Sequence, residues 1–348
     1  IMSLVPLSSH TGSWGDRGRG SGLLHRVVSS VSQPAGSRQH IARMPTMEEL
    51  GLKSCDHQVG GHMKKDGNTP DTLIDDKGRF YKPYQNDARN LREAAFYSMM
   101  WGSRGADADG SEPEASTNPL GEWGVGEMYG PAQGQLPKPE DAAGLRTFIP
   151  KFYGVTKVED RQYMIMEDIC RGYTQPCVID AKIGFSTLYT WADEKYQKKV
   201  IEKDATTTQS TAGFRISGVQ VWRVKEGEMH KAERQWGKTL TKDTIHTAFE
   251  LFASNGALSP RDLYFGPQGA MARLQAIRDW FATQASFCFY QASVLLSYEG
   301  TATRMEDANV QVHLIDFAHT FPTGGKRDDN FLSGLDALLS ILKTHCDK

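Results

Sequence analysis

The sequence predicts an α+β fold, on three observations. Apolar strand patterns come first, and helical and strand patterns then mix without regular alternation. No segment repeats at a fixed period. The 348 residues, 39% hydrophobic and 24% charged, suit a soluble chain with one large domain or two lobes.

In order, Phe80-Tyr81-Lys82-Pro83-Tyr84 reads as an aromatic-rich strand and Arg89 to Trp101 as a helix. Phe152 to Thr156 and Gln162 to Glu167 read as strands, the second ending an apolar run on Glu167 and Asp168. Val178 to Lys182 is a strand. Asp193 to Lys203 is a helix in which Lys195, Lys199 and Lys203 recur every four residues and share a face. Phe214 to Val224 is a strand, and Lys242 to Ser254 and Met271 to Gln284 are helical by spacing. Thr241 is placed to cap the first of these, with Asp243 in its first turn. Val310 to Ile315 is a strand and Phe331 to Leu342 a closing helix.

Two segments read as lying outside this core. Residues 1–46 hold five arginines, nine serines and one acid, Asp16, the composition of a transit-like or non-native leader. Residues 102–144 hold nine glycines, five prolines and eight acids against two bases, and are expected to be a disordered insert. The net charge of −2 excludes a globally basic nucleic-acid binder, so an anion must be met by a local cluster of cations. No apolar run approaches a membrane span. The five cysteines are scattered without a C-x-x-C pair, which fits free thiols better than a disulfide framework or a zinc site.

The stretch from Pro176 to Gly184 carries the most chemistry. Asp180 and Lys182 stand two apart in a strand, so alternation turns both to one face. Such a pair is either a structural ion pair or the centre of a site handling nucleotide, metal and a transferring phosphoryl group. Lys82, followed by a helix bearing Glu93, is either a snorkelling surface lysine or a phosphate-holding strand lysine paired to a helix glutamate. Asp316 ends an apolar strand and reads as a turn cap or as a hard oxygen ligand for magnesium.

The full pattern P-x-x-x-D-x-K-x-G resembles the signature of the inositol polyphosphate kinase family. His57-Gln58-Val59-Gly60-Gly61-His62, Gly213-Phe214-Arg215-Ile216-Ser217-Gly218 and Ile315-Asp316-Phe317-Ala318-His319 resemble further family motifs, in the family's order from about Cys55 to about Leu342. The chain looks most like the compact plant-type multikinases of that family. The resemblance implies a two-lobed kinase fold with a distantly protein-kinase-like ATP site. Residues 47–168 would form the N-lobe and 169–348 the C-lobe, with an inositide-binding helical segment at 185–212.

It also implies ATP and Mg2+ as cofactors and inositol tris- and tetrakisphosphate as substrates. Lys82 and Glu93 would serve the ATP phosphates, Glu167 and Ile169 the adenine through backbone groups, and Asp168 through its side chain. Asp316 would bind metal, with Ser293 beside it. Asp180 and Lys182 would be catalytic, Asp180 also being a candidate for the ribose. Arg89, Lys182, Lys199, Lys203, Arg215 and His319 would meet the inositol phosphate. The family suggests nucleus and cytoplasm, while the leader leaves an organelle open; a monomer without nucleic-acid partner or transmembrane segment is expected.

Three departures stand out, the first being that the 102–144 insert is longer than a compact member needs. Ala292-Ser293-Val294-Leu295 keeps one serine where relatives carry two, and Lys238 stands where they often carry arginine. The competing functions are a dedicated inositol trisphosphate 3-kinase, an inositol hexakisphosphate kinase and an inositol-phosphate-binding scaffold. Compactness speaks against the first two, and the intact Lys82, Asp180, Lys182 and Asp316 set against the third. A protein kinase would need a G-x-G-x-x-G loop and an H-R-D motif, and both are absent.

Overall fold

The computed structural model describes residues 46–59, 72–84, 88–102, 136–189 and 191–347. The expected leader up to residue 45, residues 103–135 of the expected insert, and Gly60, Gly61 and His62 lie outside the described residues.

Two five-stranded antiparallel sheets form the frame. The first contains β1 (Lys53–Ser54), β2 (Leu73–Ile74), β3 (Arg79–Pro83), β4 (Phe152–Val158) and β5 (Arg161–Glu167), in the order β1-β2-β3-β5-β4. Helices α1 (Ala88–Trp101) and α2 (Pro139–Arg146) come between β3 and β4. The second contains β6 (Pro176–Ile183), β7 (Phe214–Arg223), β8 (Glu228–Ala232), β10 (Ser293–Glu299) and β11 (Gln311–Ile315), in the order β11-β10-β6-β7-β8. A small pair joins β9 (Phe287–Phe289) to β12 (Thr320–Pro322). The remaining helices are α3 (Glu194–Ala205), α4 (Gln209–Ala212), α5 (Arg234–Gly237), α6 (Thr247–Phe252), α7 (Pro260–Phe265), α8 (Ala270–Thr283), α9 (Met305–Ala308) and α10 (Asp329–His345).

Alternation sorts the side chains. On β6, Cys177, Ile179, Ala181 and Ile183 enter the main core, while Asp180 and Lys182 line the opposite, cleft-facing side. On β3, Tyr81 joins a small cluster with Leu52, Leu73, Val158 and Tyr163, while Phe80 and Lys82 face the cleft. The main core continues between the sheets through α1. Phe96 and Tyr97 of that helix pack on Phe317, with ring centroids 4.5 and 5.5 Å apart. The first sheet ends at Glu167 and the second begins at Pro176, and the two share one core.

Glycine is required where β6 ends. Gly184 has φ +106°, and a Cβ there would lie 2.7 Å from Asn330 Nδ2. The turn it permits places the following segment, and then α3, over the cleft end of β6.

The structure corrects three expectations. The helix expected over Lys242 to Ser254 is confined to Thr247–Phe252. The amides of Thr244 and Ile245 both bond to the Thr241 carbonyl, and the hydroxyls of Thr241 and Thr244 meet at 3.1 Å. This β-branched start makes a string of turns instead of an α-helix. The insert expected to lack structure over 102–144 is folded in its last part, as α2. Its Pro139 and first-turn Glu140 and Asp141 suit a helix start, and buried Asp141 accepts from the Ser286 hydroxyl at 2.5 Å. Strand β10, unrecognised in the sequence, is buried along its whole length between β6 and β11. A short apolar run of this kind has no periodicity to read.

Candidate active site

A cleft of about 450 Å3 lies between the two sheets. Its centre is a chain of charges. Lys82 Nζ donates to both oxygens of Glu93, at 2.8 and 2.9 Å, and to Asp316 Oδ1 at 2.9 Å. Lys182 Nζ donates to Asp316 Oδ2 at 2.7 Å, to Ser293 Oγ at 3.0 Å and to the Gln291 carbonyl at 3.0 Å. One aspartate thus joins a lysine of the first sheet to a lysine of the second.

Each position follows from the local fold. β3 carries Lys82 across to α1, where Glu93 is 2% exposed. The register pairs Lys182 with Arg215 on one side and with Ser293 on the other, and Ser293 with Ile315 beyond it. Asp316, the residue after β11, is thereby set beside Lys182. It has φ +68° and Gln291 φ +62°, so two non-glycine residues in the left-handed region meet Lys182.

The charges tune one another. Burial alone would weaken the Lys82 ammonium, but Asp316 and Glu93 overcome it and push its pKa upward. Burial would raise the Asp316 carboxyl, but Lys182 and Lys82 hold it well below the usual carboxylate range. Asp180 goes the other way, since burial raises its pKa against the opposing pull of Lys182. Asp180 is 3% exposed and its Oδ1 has no hydrogen-bond partner. A buried, unpartnered acceptor lining a cleft is suited to a ligand hydroxyl.

The residues expected to form a hinge also border the cleft. Glu167, Asp168 and Ile169 all line it, as do His57 and Val59. The Asp168 side chain uses one oxygen within the protein. Its Oδ1 accepts from the Cys170 amide at 3.0 Å and meets His57 Nε2 at 3.1 Å. The bond to His57 ties the segment around that residue to the strand end at Glu167. Burial would lower the His57 pKa, but Asp168 and Cys55 carry it up to about 10.

The cleft also holds a cluster of cations. Arg89, Lys199, Lys203 and Arg215 line the cleft, as do Arg234 and Lys238. Helix α3 is capped by Asp193, whose side chain accepts from the Tyr196 amide at 2.9 Å. Its cleft-lining residues include Tyr196, Lys199 and Lys203, spaced three and four apart, so the stripe begins at Tyr196 and not at Lys195. Burial first, then Arg215 with Lys182 and Arg234, lower the Lys203 pKa to about 7. Burial also lowers Arg215, whose guanidinium donates to Gln209 Oε1. Buried His319 lines the cleft, but its ring nitrogens face Arg92 and Tyr196 at 3.3 and 3.2 Å. Burial and the cations around it hold it neutral.

The site residues singled out in the sequence therefore line one cleft, except Ser293, which is fully buried and reaches it only through its hydroxyl's bond from Lys182. Tyr196, Gln291 and Arg234, which also line it, and Arg92, which meets His319, were not among them. The spacing 196, 199, 203 was a signal for Tyr196, and Arg92 lies one turn after Arg89. Nothing local marks Gln291, whose place depends on pairing distant in sequence.

Two sheets, a strand lysine locked to a helix glutamate and a carboxylate between two lysines are the arrangement of a nucleotide-dependent phosphotransferase. The chain belongs to the inositol polyphosphate kinase family, whose profile matches residues 163–343. It is 32% identical to inositol polyphosphate multikinase alpha of Arabidopsis thaliana over 84% of this chain and 96% of that protein. Among solved structures, an inositol phosphate multikinase is 32% identical with TM-score 0.53, covering 60% of this chain and 93% of the other. The S. cerevisiae inositol phosphate multikinase, solved with ADP and Mn2+, has TM-score 0.50 over 61% of this chain and 92% of its own; at 22% identity it speaks for the fold alone.

Proposed function

We propose that this chain transfers the γ-phosphoryl group of ATP to ring hydroxyls of inositol tris- and tetrakisphosphate, as a multikinase. The observation that carries this reading is the Lys82–Asp316–Lys182 bridge, open to Asp180 on one side and to the Lys199–Lys203–Arg215 cluster on the other.

The adenine end is the hinge at Glu167 and Ile169, and Lys82 meets the nucleotide phosphates. Lys182 stands between that phosphate end and the inositide cations, where it stabilises charge developing on the transferring group. Asp180 accepts a hydrogen bond from a ligand hydroxyl at its unpartnered oxygen. Asp316, with Ser293 beside it, would hold Mg2+, which when bound neutralises phosphate charge. A loose phosphoryl-transfer transition state asks for such positioning and electrostatics more than for a strong base. Lys199, Lys203, Arg215 and Arg89 gather the ring phosphates. The same reading makes the chain a monomer acting in nucleus and cytoplasm.

The test is incubation with ATP, magnesium and inositol 1,4,5-trisphosphate, with products separated by phosphate number and position. Sequential tetrakis- and pentakisphosphate support the multikinase. A stop at one tetrakisphosphate shifts the reading to a dedicated 3-kinase, and no turnover refutes the kinase.

A further inference from the structure

Tyr196 is half-buried on the cleft face of α3, and its ring is hemmed in. The rings of Tyr189 and His319 lie 5.6 and 5.8 Å from it, centroid to centroid. Its hydroxyl oxygen meets two nitrogens, His319 Nε2 at 3.2 Å and Gln291 Nε2. What those nitrogens carry is decided by their other partners.

His319 Nδ1 faces Arg92 Nη2 at 3.3 Å. A guanidinium only donates, so Nδ1 accepts, and in a neutral ring the proton then sits on Nε2. His319 therefore donates to Tyr196. Arg92 is fixed in turn, because its Nε donates to the Ala318 carbonyl at 2.8 Å. Gln291 is oriented by the same reasoning. Its Oε1 accepts from Lys203 Nζ at 3.3 Å, and its amide nitrogen donates to the Thr187 carbonyl at 3.5 Å. Gln291 too is a donor to Tyr196.

Both neighbours of the phenolic oxygen thus give it protons, and the hydroxyl's own proton is left to donate. Tyr196 lies on the same helix face as Lys199 and Lys203, so the acceptor it meets is what those lysines attract. We propose that Tyr196 is a substrate-binding residue that donates its hydroxyl proton to a phosphate oxygen of the inositol phosphate, and that His319 is a positioning residue acting through it. This rests on the function proposed above. A neutral donor suits this place. Lys203 is already penalised by Arg215, Lys182 and Arg234, and a hydroxyl adds a bond to phosphate without adding repulsion.

The experiment uses the full chain, with inositol 1,4,5-trisphosphate as probe, calorimetry for Kd and initial rates for KM and kcat. Tyr196→Phe keeps the ring and its packing and removes the donor. It should weaken Kd and raise the inositide KM about tenfold, with far less effect on kcat and on the KM for ATP. His319→Ala should reproduce most of that loss. His319→Gln should restore binding, because its amide donates to Tyr196 while its carbonyl accepts from Arg92. The double variant Tyr196→Phe/His319→Ala should be no weaker than Tyr196→Phe alone. Unaltered affinity in Tyr196→Phe, with the wild type binding, overturns this inference alone. Additive losses in the double variant overturn the assignment to His319. A wild-type chain that binds no inositol phosphate overturns this inference together with the function beneath it.

Discussion

Lys203 allows one prediction to be worked through, because its charge is set by where the fold puts it. Burial, and then Arg215, Lys182 and Arg234, hold its pKa at about 7 against the lesser pull of Asp204. In the free protein about nine molecules in ten carry the charge at pH 6 and about one in ten at pH 8. A polyanion that takes only the charged form meets an apparent Kd raised by 1 + 10^(pH − pKa). That factor is about 1.1 at pH 6 and about 11 at pH 8, a loss near 1.4 kcal/mol.

The perturbation is Lys203→Met. The assay is calorimetry with inositol 1,4,5-trisphosphate at pH 6, 7 and 8, in two buffers of different ionisation enthalpy. Phosphate titration is common to both proteins, so the difference between wild type and variant isolates Lys203. At pH 7 the wild type should take up about half a proton more per ligand bound than the variant. Equal proton uptake in the two proteins refutes the reasoning. The sign for the unliganded fold is opposite. Its lysine pKa is below that of the unfolded chain, so stability falls as pH drops from about 10 to about 7 and levels off below. Bound polyanion should reverse that trend in a thermal melt.

Further outcomes are expected from the same geometry. Lys182→Met should lower kcat by about a hundredfold or more, read as phosphate number in the products, with nucleotide affinity changed much less. Gly184→Ala forces an alanine to φ +106° and against Asn330; it should cost about 1–3 kcal/mol, seen as a lower Tm. His57→Gln removes the ion pair with Asp168 and should raise the KM for ATP more than it alters kcat. The His57 pKa, about 10 in the fold, lies above the ordinary 6.5. The pair's contribution to stability is therefore complete below pH 6.5 and lost as pH rises through about 10. A difference in Tm between wild type and His57→Gln that grows with pH over this window would contradict the assignment.

The sequence by itself determined the mixed helix-and-strand fold, most of its elements and the identity of the charged set. Strand alternation was enough to put Asp180 and Lys182 on one side of β6, and a helix period was enough to line up Lys199 with Lys203. Those are local rules, fixed by covalent geometry within a few residues. What they could not reach were pairings between distant segments. β10 is interior because β6 and β11 flank it, Asp168 holds a histidine more than a hundred residues away in sequence, and Asp316 is shared because two sheets bring a lysine to each of its oxygens. The protonation of His319 and Lys203 belongs to the same class. Burial and through-space charge set it, and both exist only once the chain has closed around the cleft.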